Sequence, residues 1–313
     1  MKKKIIITGG LGFIGSSLIS KLLPEYRIII LDNSKKRKKI PKNVEIINCD
    51  LTNPKSLNKI KVKNINCLVH LAGQSSGPKS FHIPEEDLRL NLLSTINIVN
   101  FCKLKRINKI VFSSTFTVYG DTDRARINER EKCSPKSFYG LSKFASENYL
   151  IKLTEKYKLK WNILRFFNVY GPGQDLSRKD QGIVSIFLDL IRNNTVIKVN
   201  GSLKRFRDLI YIDDVVDALI LIIKDNKNYN QIYNVGTGKK TTIKKLLQMI
   251  SKVYDKENTI KIKVLNSTPG DILGCYADLT KIKKDLKFYP KVNLFDGLNR
   301  FKNWAEENFY IKN

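Results

Sequence analysis

The fold of this 313-residue chain is decided by its first fifteen residues, MKKKIIITGGLGFIG (1–15). The apolar run at 5–7 predicts a buried parallel strand, and the pattern that begins at Phe13 predicts a helix. Gly9 permits a tight turn between them, Gly12 lets the backbone approach a pyrophosphate, and Gly15 allows the helix to pack closely on the strand. The N-terminus of a helix also stabilises a pyrophosphate. The stretch therefore predicts a dinucleotide-binding site.

The identity of the dinucleotide is indicated by Asp32, which ends the next predicted strand. A carboxylate at that place accepts hydrogen bonds from adenosine ribose hydroxyls and would repel a 2′-phosphate, so NAD is favoured over NADP. The basic run KKRKK (35–39) would suit such a phosphate, so NADP stays open as an alternative. Ligands bind at the carboxyl ends of parallel strands. Besides Asp32 and the three glycines, we therefore expect the cofactor to contact Phe13, Ile14, Asn33, Asp50, Leu51, Leu71, Ala72 and Gly73.

Short runs rich in Ile and Val alternate with amphipathic stretches through the first half of the chain. This alternation predicts an α/β fold with a doubly wound parallel Rossmann sheet. We expect strands at 3–8, 27–31, 44–49, 67–72, 109–113 and 161–167, and helices at 13–23, 87–104 and 137–157.

After Asn168 the alternation ends at a loop, Gly171-Pro172-Gly173, and the pattern predicts a smaller α+β substrate-binding lobe. The helices expected from there on are 183–192, 213–224, 242–254 and 294–306. We expect the NAD-binding domain to cover 1–167, joined by residues 208–232, and the substrate-binding lobe to cover 168–207 and 233–313.

The formal net charge of the chain is +28, and its lysines are spread along the whole sequence. Three interpretations are open: a solvated lysine-rich surface, attraction of an anionic small-molecule substrate, or binding of nucleic acid. We favour the first, because no single basic segment dominates the distribution. The run at 35–39 is expected to be a solvated loop.

The cysteines and histidines exclude two classes of protein. Five scattered cysteines without a CxxC pair argue against a disulfide framework, and with only two histidines they also argue against a metal site.

No apolar run approaches the length of about 18 residues that a membrane-spanning helix needs. The basic start lacks the apolar stretch of a signal peptide, so we expect a cytoplasmic protein that does not insert into membranes.

A second group of residues predicts proton transfer. Tyr139 and Lys143 lie four residues apart in a predicted helix, which puts them on one face. A neighbouring ammonium favours phenolate, so we expect the pKa of Tyr139 to be lowered and Tyr139 to act as a general base. The stretch SSTFTVYG (113–120) comes directly after a predicted strand, so one of its hydroxyls is expected to reach the reacting oxygen of the substrate.

The chain resembles the extended short-chain dehydrogenase/reductase family, in its NAD-dependent epimerase/dehydratase branch acting on nucleotide sugars. The motifs that carry this resemblance span nearly the whole chain: TGGLGFIG, HLAG, SSTFTVYG, YGLSK, LRFFNVYGPG, RDLIYIDDV, YNVGTG and GDILGCYAD. The resemblance implies that Thr115, Tyr139 and Lys143 are catalytic and that Asn91 is an active-site asparagine. It also implies that Asn91, Tyr139 and Lys143 contact the cofactor. It also implies substrate contacts at Asn168, Arg207, Asp271 and Cys275, with the first two on the diphosphate and Cys275 setting the pocket size.

The two residues after Thr115 divide this branch by reaction. The 4,6-dehydratases carry Asp-Glu there, whereas this chain carries Phe116 and Thr117, which argues against dehydration. Two residues depart from the pattern of UDP-galactose 4-epimerases: Thr268 replaces an arginine and Ser75 replaces a lysine. Both departures leave the identity of the sugar open.

The resemblance therefore implies an NAD-dependent epimerase of nucleotide-diphosphate sugars, working at C4 through a 4-keto intermediate. It also implies a homodimer built on helices 87–104 and 137–157. Two alternatives stay open. One is an NDP-4-ketosugar reductase, or another NDP-sugar oxidoreductase, on the same scaffold. The other is an RNA-binding Rossmann protein, which the Thr115, Tyr139 and Lys143 set disfavours.

Overall fold

The structure is a computed structural model, and it describes residues 2–34, 40–41, 43–193, 196–267 and 270–309. The strands, in chain order, are β1 (Lys3–Thr8), β2 (Tyr26–Asp32), β3 (Glu45–Asn48), β4 (Ile65–His70), β5 (Lys109–Thr115), β6 (Arg126–Ile127), β7 (Lys160–Phe166), β8 (Asn168–Tyr170), β9 (Val196–Asn200), β10 (Phe206–Arg207), β11 (Leu209–Tyr211), β12 (Gln231–Val235), β13 (Thr241–Thr242), β14 (Lys261–Leu265) and β15 (Tyr276–Ala277).

The α-helices are α1 (Phe13–Leu22), α2 (Pro54–Asn58), α3 (Gly77–His82), α4 (Pro84–Leu88), α5 (Ser94–Leu104), α6 (Phe138–Tyr157), α7 (Ile183–Asn193), α8 (Ile212–Lys224), α9 (Ile243–Val253), α10 (Thr280–Leu286) and α11 (Leu294–Phe309). A π-helical turn, Arg89–Leu93, joins α4 to α5, and a 3-10 turn, Phe116–Val118, comes directly after β5. In the part of the chain that the structure describes, no helix is both long and apolar enough to cross a membrane.

Seven parallel strands form the central sheet, in the order β3-β2-β1-β4-β5-β7-β12. The chain adds β2 and β3 on one side of β1 and all later strands on the other side. The prediction of a doubly wound parallel Rossmann sheet is therefore confirmed. The order reverses between β1 and β4, and ligands bind beyond the carboxyl ends of strands at such a reversal.

The unbroken apolar run in β1 is explained by its position in the middle of this sheet. Ile5 and Ile7 belong to the hydrophobic cluster on one face, whereas Ile6 belongs to the cluster on the other face. Successive side chains of a strand point to opposite faces, so a strand covered on both sides must be apolar throughout. The cluster that contains Ile5 continues to Phe301, so the sheet and the smaller lobe share one core.

All six predicted strands of the sheet occur, with ends shifted by no more than two residues. A seventh strand, β12, pairs with β7, so the returning segment ends at Val235 and not at 232. The helix predicted at 87–104 is correct in position but not uniform. It begins at Pro84, which suits the first turn of a helix, and contains the π-helical turn that holds Asn91.

The smaller lobe consists of α7, α9, α10, α11 and short strand pairs. β9 pairs with β14 in parallel, and β10 pairs with β13 in antiparallel orientation. The helices predicted at 183–192, 242–254 and 294–306 correspond to α7, α9 and α11, and the one predicted at 213–224 corresponds to α8, which packs on α1 of the larger lobe. The predicted division into two domains stays a proposal, because the two parts share a hydrophobic cluster.

Candidate active site

A cavity of about 750 Å³ lies at the carboxyl ends of β1, β2, β4, β5 and β7. Its other wall is formed by the segment 173–184, which connects β8 to α7. Thirteen of the fifteen predicted cofactor contacts line it: Gly9, Gly12, Phe13, Ile14, Gly15, Asp32, Asn33, Asp50, Leu51, Leu71, Ala72, Gly73 and Tyr139. The other two, Asn91 and Lys143, are not on its lining. Most residues that the sequence assigned to a dinucleotide therefore border one continuous space.

The glycines of the first turn are required by close approaches of the backbone. Gly9 has φ +66°, and a Cβ there would lie 2.7 Å from the backbone nitrogen of Ala72. A Cβ at Gly15 would lie 2.4 Å from the carbonyl oxygen of Gly9. No side chain within the described residues caps the start of α1 at Gly12. Backbone N–H groups at this helix start are thus oriented towards the cavity as a pyrophosphate requires, so the residues present fit NAD.

Asp32 is held at the edge of the cavity by two backbone groups. Its Oδ2 accepts a hydrogen bond from the Leu11 N–H at 3.0 Å, and its Oδ1 accepts one from the Ser34 N–H at 2.9 Å. These bonds fix the carboxylate where ribose hydroxyls would approach. The basic run at 35–39, on which the NADP alternative and the predicted solvated loop depend, lies outside the described residues.

Thr115 and Tyr139 line the same cavity, with their side chains close enough that the Thr115 hydroxyl lowers the pKa of the Tyr139 phenol. Thr115 is the last residue of β5, and its Oγ1 also accepts a hydrogen bond from the Thr117 N–H at 3.2 Å. Tyr139 lies in the first turn of α6, which begins after Ser137 accepts a hydrogen bond from the Gly140 N–H. The end of a strand and the start of a helix thus bring two hydroxyls together.

Lys143 lies one turn further along α6, behind the cavity wall. Only 4% of the residue is exposed, and its Nζ is 4.1 Å from the centre of the Phe112 ring. Burial lowers the pKa of Lys143 to about 7, although the carboxylates of Glu147 and Asp87 raise it. Lys143 is therefore an ammonium group close to its point of deprotonation at neutral pH.

The expectation that Lys143 lowers the pKa of Tyr139 is wrong for the protein on its own. Burial raises the pKa of Tyr139 to about 12, the hydrogen bond with Thr115 lowers it, and the charge of Asp87 raises it. Removal of the phenol from water disfavours phenolate more strongly than the Thr115 hydroxyl favours it. The positive charge of a nicotinamide ring, when NAD is bound, would act in the opposite direction.

A buried polar cluster lies behind Tyr139 and was not found from the sequence. Asp87, which is 1% exposed, accepts hydrogen bonds from Gln74 Nε2 at 2.6 Å, from Asn91 Nδ2 at 3.3 Å and from Ser142 Oγ. Asp87 falls inside the predicted helix, but no sequence pattern marks it as buried.

Asn91 belongs to this cluster and does not line the cavity. Its Nδ2 donates to Ser142 Oγ at 3.0 Å, and its Oδ1 has no partner among the described residues. A Cβ at Gly73 would lie 2.4 Å from that Oδ1, so the position of Asn91 requires glycine at 73.

Only one of the four expected substrate contacts, Asn168, lines the cavity. Arg207 is buried, and its Nη2 lies 2.9 Å from Asp271 Oδ1 in an ion pair that Arg205 also joins. Cys275 is fully buried in the hydrophobic core. None of these three residues is on the cavity lining. Thr268 lies outside the described residues.

The segment 173–184 contributes lining residues that sequence reasoning missed. Gln181 Nε2 donates to Ser75 Oγ at 2.7 Å, and Ser76 Oγ donates to the Asp180 carbonyl at 3.0 Å. These bonds hold the segment against the turn after β4. Gly171-Pro172-Gly173 marked a loop, but the sequence held no signal for where that loop folds.

Charge on the cavity lining is opposite in sign to the charge of the whole chain. The described lining residues with charged side chains are Asp32, Asp50, Asp175, Asp180 and Arg178. The described residues bring together no group of three or more His, Cys, Asp or Glu side chains that could hold a metal ion.

The comparisons with known proteins agree with this geometry. Residues 5–236 match the model of the NAD dependent epimerase/dehydratase family. The UDP-N-acetylglucosamine 4-epimerase of Methanobrevibacter ruminantium M1, solved with UDP-N-acetylmuramic acid, is 32% identical with a TM-score of 0.90, over 99% of this chain and 100% of that one. The UDP-glucose 4-epimerase of Thermotoga maritima, solved with UDP-glucose, is 30% identical with a TM-score of 0.90, over 97% and 99% of the two chains.

A relative with a different reaction is also similar. The dTDP-4-dehydro-6-deoxyglucose reductase of Escherichia coli is 30% identical over 309 residues, which cover 96% of each protein. The family model covers well over half of the chain, and the relatives are similar over nearly all of it. The chain belongs to the NAD-dependent epimerase/dehydratase family.

Proposed function

We propose that this family member is an NAD-dependent nucleotide-sugar epimerase that inverts C4 of the sugar through a 4-keto intermediate. The observation that carries the proposal is the pair of hydroxyls, Thr115 and Tyr139, on the same cavity as the glycine turn of the dinucleotide site. The residues after Thr115 are Phe116 and Thr117, which also line the cavity and supply no carboxylate for dehydration.

The proposed reaction uses the side chains in defined roles. NAD, when bound, supplies a hydride acceptor and a positive charge near the phenol. Tyr139 Oη accepts the proton of the C4 hydroxyl as the C4 hydride leaves, and Thr115 Oγ1 donates a hydrogen bond to the oxygen that becomes the ketone. Lys143, in its charged form, stabilises the phenolate of Tyr139. Return of the same hydride and proton to the opposite face of the sugar gives the epimer, with no net oxidation.

The test is incubation of the purified protein with UDP-, GDP-, CDP- and dTDP-sugars, with products resolved by proton NMR. We expect one or more sugars to be epimerised, and Tyr139→Phe to lower kcat by about 10²- to 10⁴-fold because a general base is lost. The matched control is Tyr157→Phe at the far end of α6, whose hydroxyl bonds Asn100 and does not line the cavity. Absence of epimerisation with every sugar would contradict the proposal.

A net reductase of 4-ketosugars is the second candidate, and the similarity to the Escherichia coli reductase favours it. A reductase consumes one reduced nicotinamide for each turnover, whereas an epimerase regenerates NAD. Absorbance at about 340 nm during turnover distinguishes the two, because only a reductase lowers it continuously.

We propose a homodimer that pairs α5 and α6 with the same helices of a second copy. The two helices pack on each other, and their outer surface exposes Leu104, Leu141 and Tyr149, each more than half accessible. Apolar side chains concentrated on one surface are typical of an interface.

Location and charge complete the proposal. A cytoplasmic location is supported by the five cysteines, which all carry free thiols, as expected in a reducing compartment.

We attribute the charge of +28 to solvated surface lysines and not to a nucleic-acid site. Filter binding of RNA should then be weak and fall steeply as salt is raised to physiological strength.

A further inference from the structure

Three charged side chains lie at the end of the cavity formed by the segment 173–184, which we call the sugar end. They are Asp175, Arg178 and Asp180. The other described lining residues of this end, including Ser75, Gln174 and Gln181, are neutral. This end of the cavity thus carries two carboxylates and one guanidinium group.

Asp180 occupies the guanidinium of Arg178 with both carboxylate oxygens. Arg178 Nη2 lies 2.7 Å from Asp180 Oδ2, and Arg178 Nε lies 3.1 Å from Asp180 Oδ1. Two parallel hydrogen bonds of this kind are the geometry in which arginine recognises a carboxylate. This hydrogen bonding lowers the pKa of Asp180 to about 2, so the pair is ionised throughout the physiological range.

Neighbouring contacts hold the two aspartates in place. The Asp180 carbonyl accepts a hydrogen bond from Ser76 Oγ at 3.0 Å, which ties this residue to the opposite wall of the cavity. Asp175 Oδ1 accepts hydrogen bonds from the Ser177 N–H at 3.1 Å and from Ser177 Oγ at 2.6 Å. The sugar end therefore presents fixed negative charge together with hydrogen-bond acceptors.

We infer that Asp180 determines the substrate class of this site: by occupying Arg178, it selects nucleotide sugars with a neutral sugar and discriminates against uronic acids. The inference rests on the proposed function. A neutral sugar can donate a hydroxyl to Gln174 Oε1, which is buried and has no partner among the described residues, and it needs no free guanidinium. A C6 carboxylate would meet two like charges and a guanidinium that is already paired.

The experiment compares kcat/KM for UDP-glucose and UDP-N-acetylglucosamine with kcat/KM for UDP-glucuronate, in the full chain supplied with NAD. For the unaltered protein we expect a preference of about 10-fold or more for the better neutral sugar. Asp180→Asn frees Arg178 and should raise kcat/KM for UDP-glucuronate by about 3- to 10-fold, because both side chains of the pair are more than a third exposed and solvent screens their charges. It should change the value for the neutral sugar by less than about 3-fold.

Three further variants separate this inference from a general effect of the substitution. Asp180→Glu keeps a carboxylate and should retain the discrimination. The double variant Arg178→Gln with Asp180→Asn should lose the gain, because the cation that receives the uronate is absent. Asp189→Asn removes the same charge from the neighbouring Lys179–Asp189 pair, which does not line the cavity, and should leave the ratio unchanged.

The outcomes divide clearly. Equal use of UDP-glucose and UDP-glucuronate by the unaltered protein overturns the inference and leaves the proposed function standing. So does an Asp180→Asn variant with an unchanged ratio, or a double variant that keeps the gain. Failure of the unaltered protein to epimerise any UDP-, GDP-, CDP- or dTDP-sugar overturns the proposed function and the inference with it.

Discussion

Burial governs the protonation of Tyr139, the proposed base, and of Lys143, which is proposed to stabilise its phenolate. The pKa of Lys143 is lowered to about 7 by removal from water, from an ordinary value of 10.5. The unfolded chain therefore binds one proton more than the folded protein at this residue between those two pH values. Below pH 7 Lys143 is protonated in both the folded and the unfolded protein. The buried charge then lowers the free energy of unfolding by its full amount. Lys143 thus makes the free energy of unfolding rise with pH in this window.

We expect Lys143→Met to remove this dependence. The difference between the unaltered protein and the variant should grow with a slope approaching about 1.4 kcal/mol per pH unit from pH 7 towards pH 10, the value for one proton. Urea unfolding at pH 7, 8 and 9 measures it. Lys152→Met on the same helix is the control, since that side chain is 78% exposed. Identical pH curves for both variants would show that Lys143 is charged in the folded protein throughout.

At this scale the sequence predicted which residues meet but not how they titrate. Thr115 and Tyr139 were found because a strand end and a helix start carry them to one edge of the sheet. Asp87 and Gln74 were not found, because burial of a carboxylate depends on contacts between α4, α6 and the turn after β4. No spacing in the sequence records such contacts.

The packing of some helices depends on places where two backbone segments approach closely. Gly15→Ala would put a Cβ 2.4 Å from the Gly9 carbonyl, so α1 must move away from the turn. We expect the free energy of unfolding to fall by about 1–3 kcal/mol and the affinity for NAD to fall with it. Urea unfolding and calorimetric titration with NAD measure the two effects.

The control for this substitution is Gly77→Ala in the first turn of α3. A Cβ there would meet nothing within 4 Å, so stability should change by less than about 0.5 kcal/mol. An equal loss of unfolding free energy in Gly15→Ala and Gly77→Ala would contradict this prediction. The loss at Gly15 would then not come from the close approach to Gly9.

One buried lysine joins β5 to the end of α8. Lys109 Nζ donates to the carbonyls of Ile222, Ile223 and Asp225 at 2.7, 3.1 and 2.6 Å. These carbonyls close the last turn of α8 and have no partner within the helix. We expect Lys109→Met to lower the free energy of unfolding by about 2–3 kcal/mol, because charge-assisted hydrogen bonds are lost from buried acceptors.

Urea unfolding of Lys160→Met provides the comparison. Lys160 pairs with Lys109 across β5 and β7, but its Nζ is exposed and lies 4.0 Å from the centre of the Tyr229 ring. Its removal should cost less than about 1 kcal/mol. A similar loss for both variants would contradict a capping role for Lys109.

Most elements were predicted from the sequence because their patterns are local. Buried parallel strands read as short apolar runs, and α9 alternates core and surface positions at the helical period. The π-helical turn within 87–104 was not predicted, since it preserves the apolar pattern and changes only the hydrogen bonding. The seventh strand was missed in part, because β12 contains the polar residues Gln231 and Asn234.

The whole molecule exposes apolar side chains on the surface proposed for the dimer. Leu141→Glu with Tyr149→Glu places two charges on this face of α6, and we expect a monomer at micromolar concentration, with little change in stability. Analytical ultracentrifugation measures the mass. The control is Val264→Glu, an equally exposed apolar residue on β14 in the smaller lobe. Equal masses for the two variants, both dimeric or both monomeric, would contradict the assignment of the interface.

The sheet order was predictable at this scale because crossover connections between parallel strands are right-handed and short. The packing of the two lobes against each other could not be predicted from the sequence. The hydrophobic cluster of β1 extends to α11, so the two domains expected from the sequence form one core in space. The fold of 173–184 over the cavity depends on that shared core and on the bonds of Ser75 and Ser76.

This shared core constrains how the protein can evolve. The chain passes between the lobes near 168, 208 and 235, and the hydrophobic packing continues across each passage. Exchange of a whole substrate lobe between related genes would need several simultaneous breakpoints and would cut through matched packing. New substrate preferences should therefore arise by point substitutions in short exposed segments. The segment 173–184 is the best placed of the described ones, because it borders the cavity while β8 and α7 on either side keep the core intact.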